Sequence, residues 1–197
     1  MDDRLIAETR EIWKALEPDT REKIDYIWSN PELPMMEYKA EAALSSWLDK
    51  HGFTVERGVC GLPTAFRAVW SNGEGPTIGF LAEYDALPGQ GNRLEPNRAP
   101  DGKHAGHACG HNLIGGADTG AAITARHAME AHGIKGTIVV LGTPAEEILW
   151  GKIAMFRDGA FDGIDVLLTS HGDYQNGAPS RPCLSCVSSE FVFRGVS

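Results

Sequence analysis

The stretch GHACGHNLIG, residues 106–115, places Cys109 two positions from His107 and two positions from His111. A thiolate, an imidazole and nearby carboxylates together suit zinc, and nitrogen and oxygen ligands also suit manganese or cobalt. A cysteine at the start of a helix has its thiolate favoured by the helix dipole. Taken alone, Cys109 fits a small buried hydrophobic residue as well, and His107 fits a structural role.

Three further groups of reactive side chains follow apolar segments. Glu83 and Asp85 end PTIGFLAEYD, Glu146 and Glu147 come shortly after TIVVLG, and His171 follows IDVLLTS. Ligands of open α/β sheets bind beyond the carboxyl ends of the strands. We therefore expect these groups to meet the cysteine–histidine pair at one rim of a sheet.

The adjacent glutamates Glu146 and Glu147 suggest a division of labour. Neighbouring side chains on an extended segment point to opposite sides, so one carboxylate can bind metal while the other faces water. A metal ion lowers the pKa of its water towards ~7, and a carboxylate that accepts the proton is a general base for hydrolysis. An isolated pair would fit a solvated surface, so the prediction depends on all four groups occurring together.

The spacing of apolar residues predicts the elements that position these groups. We expect helices over residues 5–16, ended by Pro18, over 19–28 after a capping-box spacing, and over 40–48. Further elements are extended segments at 53–57, 65–70 and 76–84, a polar loop at 88–105, a helix at 109–131, and apolar strands at 137–142 and 164–168 with a short helix between them. This alternation predicts an α/β fold with a mostly parallel sheet.

Composition narrows the functional class. The 197 residues are 42% hydrophobic, and a net charge of −9 argues against partners such as nucleic acid or an anionic membrane. The start MDDRLIAETREIW lacks the features of a signal peptide, and no apolar run approaches the ~20 residues of a membrane span. We therefore expect a cytoplasmic protein. The CxxC pair Cys183 and Cys186 leaves a thiol redox role as a weak alternative.

The motifs GFLAEYDALPG, GHACGHNLIG, GTPAEE and LLTSHGD stand in the order and spacing of the M20 metallopeptidases, the aminoacylase and carboxypeptidase family. The chain resembles that family, and within it the amidohydrolases of the aminobenzoyl-glutamate hydrolase type. The resemblance implies a zinc-exopeptidase-like three-layer α/β sandwich. It also implies hydrolysis of an amide between an acyl group and an amino acid, in aminobenzoyl-glutamate, N-acyl amino acids or dipeptides.

The same resemblance implies a role for each motif residue. Cys109 would bridge a pair of divalent metal ions, zinc or manganese, with cobalt as a further possibility. Glu146 would be the general base, and Asp85 the carboxylate that orients the site. Further metal ligands would be His111, Glu147 and His171.

The chain departs from its relatives in three respects. Many relatives carry His-x-Asp where this chain has EYD at 83–85, and glycine-rich sequence where it has ILW at 148–150. Relatives are also longer, so residues 1–187 would be the N-terminal part of the catalytic domain and 188–197 the start of a lid and dimerisation domain.

These departures shape the expected activity and assembly. The protein would act on a small-molecule amide or dipeptide, as a homodimer through the lid or within a hetero-oligomer. We expect this chain to have weak or no hydrolase activity by itself. The alternative is a non-catalytic metal-binding or partner subunit with the same fold.

Overall fold

The computed structural model describes residues 3–178, 185, 189 and 191–195. Its helices are α1 (Asp3–Ser29), α2 (Tyr38–Lys50), α3 (His111–His132) and α4 (Gly151–Arg157), with a 3-10 turn at Val59–Gly61. Its strands are β1 (Thr54–Arg57), β2 (Phe66–Ser71), β3 (Thr77–Ala82), β4 (Leu87–Pro88), β5 (Ala105–Gly106), β6 (Thr137–Gly142) and β7 (Val166–Leu168). The short pair β4 and β5 closes the polar loop at 88–105.

Five strands form the main sheet, in the order β1-β2-β6-β3-β7. Strands β6, β3 and β7 run parallel to one another, β2 pairs antiparallel with β6, and β1 pairs antiparallel with β2. Ala82 pairs with Gly142, so β3 and β6 end at the same level. The segments that follow these two strands therefore start side by side, as the sequence predicted.

Helices cover both faces of the sheet, which confirms the predicted three-layer α/β fold. Alternate residues of β6 enter different cores. Ile138 and Val140 pack on the face covered by α1, α2 and α3. Val139 and Leu141 pack with Met155 of α4 on the other face. An apolar run such as TIVVLG is therefore satisfied because the strand is buried on both sides.

The first helix differs from its prediction. α1 continues through Pro18, so the predicted break there, with a new helix starting at residue 19, is wrong. A proline inside a helix costs about 3 kcal/mol because it lacks an N–H and crowds the preceding turn. Leu16 is buried before it, and Thr20 and Ile27 after it, so burial along both halves outweighs that cost. Thr20 Oγ1 also donates to the Leu16 carbonyl, at 3.0 Å.

Two glycines fix α3 against its neighbours. A Cβ atom at Gly115 would lie 2.5 Å from the Glu83 carbonyl oxygen, and one at Gly116 would collide with Ile24 of α1. Only a residue without a side chain permits both approaches. The second turn of α3 is thereby held against the residue that follows β3 and against α1.

Among the described residues, strand β7 is the edge of the sheet beside β3. Its three residues are Val166, Leu167 and Leu168, which are 50%, 42% and 46% exposed. Because these residues are exposed, the sheet is least buried on the β7 side. His171 follows three residues after the end of β7. Within the described residues, no helix combines the length and the apolar character needed to cross a membrane.

Candidate metal centre

His111 is the first residue of α3 and is 1% exposed. Its Nδ1 lies 2.8 Å from Asp85 Oδ1 and 3.1 Å from the Asp85 carbonyl oxygen. A carbonyl oxygen can only accept a hydrogen bond, so Nδ1 must donate and carries the proton of the neutral ring. The lone pair of His111 is therefore on Nε2.

Nε2 of His111 faces carboxylates. It lies 3.2 Å from Glu83 Oε2 and 3.7 Å from Glu146 Oε2, and it is buried with no hydrogen bond to any described residue. A buried lone pair among carboxylate oxygens is stable when a cation, a proton or a metal ion, lies between them. Burial lowers the pKa of His111, but Asp85, Glu83 and Glu147 outweigh that effect and raise the pKa overall.

Asp85 connects two of the predicted site residues. Its carboxylate is buried at the end of β3, where Oδ1 accepts from His111 and Oδ2 accepts from the Glu147 backbone N–H at 2.9 Å. One side chain thus fixes both the ring tautomer of His111 and the start of the glutamate segment. This is the geometry that an orienting carboxylate requires.

The adjacent glutamates occupy different environments. Oε1 of Glu147 is buried without a hydrogen-bond partner among the described residues, whereas the Glu146 side chain is 30% exposed. Burial raises the pKa of Glu147, His111 opposes this, and Asp85 and Glu146 add to it. The sequence prediction that one of these carboxylates binds metal while the other faces its water stays a prediction.

Cys109 and His171 form the other side of the site. Cys109 Sγ lies 3.3 Å from His171 Nε2, and the His171 ring is edge-on to the His111 ring with centroids 6.4 Å apart. Without metal, burial and then Glu147 and Glu146 raise the pKa of Cys109. α3 begins two residues later, after left-handed Gly110 as its N-cap, so help from the helix dipole stays a prediction.

Two groups of side chains are close enough to hold a metal ion, with all donor atoms of each group within 4.8 Å of one another. One group is Cys109, His111 and His171, and the other is Glu83, His111 and Glu146. They share His111, whose single lone pair on Nε2 can bind one ion, so a second ion would rest on the neighbouring carboxylates. Together with the unpartnered atoms of His111 and Glu147, this sulfur, nitrogen and oxygen donor set fits a transition-metal centre.

Two residues beside the site, Lys152 and Asp118, were not among the predicted ones, and Glu83 was expected at the rim without a role assigned to it. Glu83 lies in the second group, and Lys152 at the start of α4 pairs with its other oxygen. Glu83 occupies the histidine position of the relatives' His-x-Asp motif, which was a signal that could have identified it. Asp118 accepts hydrogen bonds from the Ser170 N–H and Oγ at 3.0 and 2.7 Å, next to His171. Asp118 is two helical turns from His111 and so shares its face of α3.

His107 lies beside this centre and belongs to neither group. Burial and then the nearby His111 lower the pKa of His107 to about 4, so its ring is neutral at pH 7. Cys183 and Cys186 lie outside the described residues, and a redox role for them stays a prediction.

Comparisons with known proteins identify the family of this chain. Residues 79–183 match the family described as Peptidase family M20/M25/M40. The chain is 38% identical, over 88% of its length, to one of the subunits of p-aminobenzoyl-glutamate hydrolase of Escherichia coli, and 39% identical, over 77%, to mouse Xaa-Arg dipeptidase. It covers 36% and 34% of those two proteins.

A solved structure shows the same fold. The YXEP protein of Bacillus subtilis, described as a dinuclear metal binding peptidase from M20 family, aligns with a TM-score of 0.64 and 26% identity. The alignment covers 78% of this chain and 42% of the YXEP chain. This chain spans about a third of the length of its curated relatives. Sequence and structure together show that the chain belongs to peptidase family M20/M25/M40.

Proposed function

We propose that this chain forms the metal-binding and base-carrying part of a metal-dependent amidohydrolase. The observation that carries the proposal is the buried Nε2 of His111, which has carboxylate oxygens beside it but no hydrogen bond to any described residue, with its other nitrogen fixed by Asp85. Carboxylates that surround such an atom form a site for a divalent cation. Family membership supports hydrolysis as the chemistry that this cation serves.

Cys109, His111 and His171 would hold one ion, and Glu147 and Glu83 offer carboxylates for a neighbouring one. The metal is zinc or manganese, with cobalt as a further possibility. When bound, such ions supply Lewis-acid chemistry, polarising a carbonyl and making water more acidic.

Glu146 would act as the general base. Its carboxylate lies 3.7 Å from His111 Nε2 and is 30% exposed, so water and substrate can reach it beside the ligands. In the reaction, Glu146 accepts a proton from the water that attacks the amide carbonyl and then delivers it to the leaving amine. Asp85 keeps the His111 ring and the Glu147 backbone in place while this happens.

The substrate would be a small-molecule amide or a dipeptide, because the similar proteins are named for aminobenzoyl-glutamate and for Xaa-Arg dipeptides. A metal-binding subunit that acts together with another chain is the second candidate, since the E. coli protein is named a subunit. Homodimerisation, a domain boundary after residue 187 and a cytoplasmic location stay predictions. Residues 187 and 188 lie outside the described part.

Metal content tests the proposal first. We expect anaerobically purified protein to hold one or two equivalents of zinc or manganese, and a Cys109→Ala variant to lose most of it. Because weak or no activity is expected of this chain alone, hydrolysis of a panel of N-acyl amino acids and dipeptides is measured on a complete chain or with an added partner. With Glu146→Gln as the inactive control, it then separates the two candidates. Absence of metal in the parent protein after incubation with zinc and manganese would overturn both.

A further inference from the structure

Glu37 is a buried carboxylate that the proposed reaction does not use. It immediately precedes α2, is 0% exposed, and accepts three hydrogen bonds. Oε1 accepts from the Met35 and Ala145 backbone N–H groups at 2.8 and 2.9 Å, and Oε2 accepts from Thr64 Oγ1 at 2.7 Å. No lysine or arginine forms an ion pair with it among the described residues. Burial raises the pKa of Glu37, and its three hydrogen bonds oppose this.

The hydrogen bond from the Ala145 N–H to Glu37 holds the backbone in a conformation that alanine rarely adopts. Ala145 is fully buried and left-handed, with φ of 56°, a conformation that residues other than glycine rarely adopt unless the surroundings impose it. Glu146 is the next residue. On its other side, the Glu147 N–H donates to Asp85. The backbone is thus held by one carboxylate before Glu146 and by another after it.

A second branch of the same network reaches β3. Tyr84 OH donates to the Thr64 carbonyl oxygen at 2.6 Å, and the Thr64 hydroxyl donates to Glu37. Tyr84 is fully buried between the two site carboxylates of the segment EYD. Glu37 therefore connects both carboxylate-bearing segments that end at the sheet rim.

We propose that Glu37 is a positioning residue, which holds the turn at 143–147 through the Ala145 N–H and thereby aims Glu146 at His111. The inference rests on the proposed function only in the role it gives Glu146. The hydrogen bond and its effect on the turn can be tested without activity.

Four substitutions separate the two branches of the network. Glu37→Ala removes the acceptor, and Glu37→Asp keeps the charge but withdraws the acceptor by one methylene. Glu37→Gln keeps an amide oxygen where Oε1 lies. Thr64→Val is the matched control, because it is equally buried and removes the other branch alone.

Amide hydrogen exchange, resolved to single residues, measures directly how strongly the backbone N–H groups of the turn at 143–147 are protected. We expect exchange at Ala145 and Glu147 to rise about tenfold or more in Glu37→Ala and Glu37→Asp, as the loss of a buried hydrogen bond implies. Glu37→Gln should stay within about threefold of the parent, and Thr64→Val should leave both amides protected. If Glu37→Ala does not fold, Glu37→Asp against Glu37→Gln decides the question.

Two results would overturn the inference: unchanged exchange at Ala145 in Glu37→Asp, or equal loss of protection in Thr64→Val. In protein that hydrolyses a substrate, Glu37→Asp should lower kcat with little change in KM. If the parent protein binds no metal and hydrolyses nothing, the proposed function fails. The exchange data would still decide what Glu37 does.

Discussion

Two pairs of histidines in this molecule face each other in nearly the same way. The rings of His111 and His171 meet edge to face at 6.4 Å, and those of His51 and His127 at 5.6 Å. In the second pair, His51 Nδ1 lies 3.3 Å from His127 Nε2. Ring geometry alone does not distinguish the two pairs, although only the first pair belongs to a candidate metal group among the described residues.

The surrounding charges distinguish the pairs. Around His111, carboxylates outweigh burial and raise the pKa. For His51, burial followed by His127 and Lys50 lowers the pKa, with Asp19 opposing. For His127, burial and then Arg126 lower the pKa, with Glu130 opposing. The comparison teaches that the charges around a pair of imidazoles, more than their mutual distance, decide whether it can accept a cation.

The strongest test removes one ring from each pair. His111→Ala should reduce zinc affinity at least about 100-fold, because the ring belongs to both candidate groups. His127→Ala should leave zinc content unchanged. Elemental analysis after dialysis against a weak chelator measures both, and equal losses in the two variants would contradict the comparison.

The next test removes the negative charge of Asp85 beside the first pair and leaves both histidine rings unchanged. Asp85→Asn should weaken zinc binding by about 10–100-fold, because the amide cannot accept from both His111 and Glu147. Asp165→Asn is the matched control. Asp165 accepts from the Thr77 N–H at the opposite end of β3. Zinc titration of the control should match that of the parent protein.

The structure places Asp85, Glu146 and His171 around His111, whereas their roles stay predictions. Strand ends are visible as apolar runs, so the order of residues was enough to assign Asp85, Glu146 and His171 to one rim. Contacts between distant residues were not visible. Glu37 and Ala145 are 108 positions apart, and no local pattern indicates their hydrogen bond. The prediction at Pro18 was wrong because proline usually ends a helix, whereas here the burial of both halves of α1 outweighs that preference.

A smaller effect on zinc affinity is expected from changes beside His171, the exposed member of the first pair. Asp118→Asn should lower zinc affinity up to about tenfold, because it disturbs the hydrogen bonds to Ser170 that hold the segment before His171. Ser170→Ala should produce part of the same loss. In a double-mutant cycle the two losses should not add. Full additivity would mean that Asp118 acts elsewhere.

The smallest expected effect is the pH dependence of folding stability contributed by the second pair, His51 and His127. Because the folded pKa values of His51 and His127 are below 6.5, the unfolded chain takes up protons first as pH falls below that value. Stability that depends on this pair should therefore decrease on acidification. Urea unfolding at pH 7.5 and 5.5 should show a slightly larger loss in the parent than in His127→Gln, by less than about 1 kcal/mol. A larger loss in the variant would reverse the sign.

Strand β7 also has a consequence for handling the protein. Its exposed valine and leucines lie on a sheet edge, and such an edge is a template for strand pairing between molecules. The net charge of −9 keeps molecules apart at low ionic strength, and salt screens that repulsion. Concentrated stocks should therefore stay monodisperse longest in dilute buffer, and turbidity should appear first in high salt.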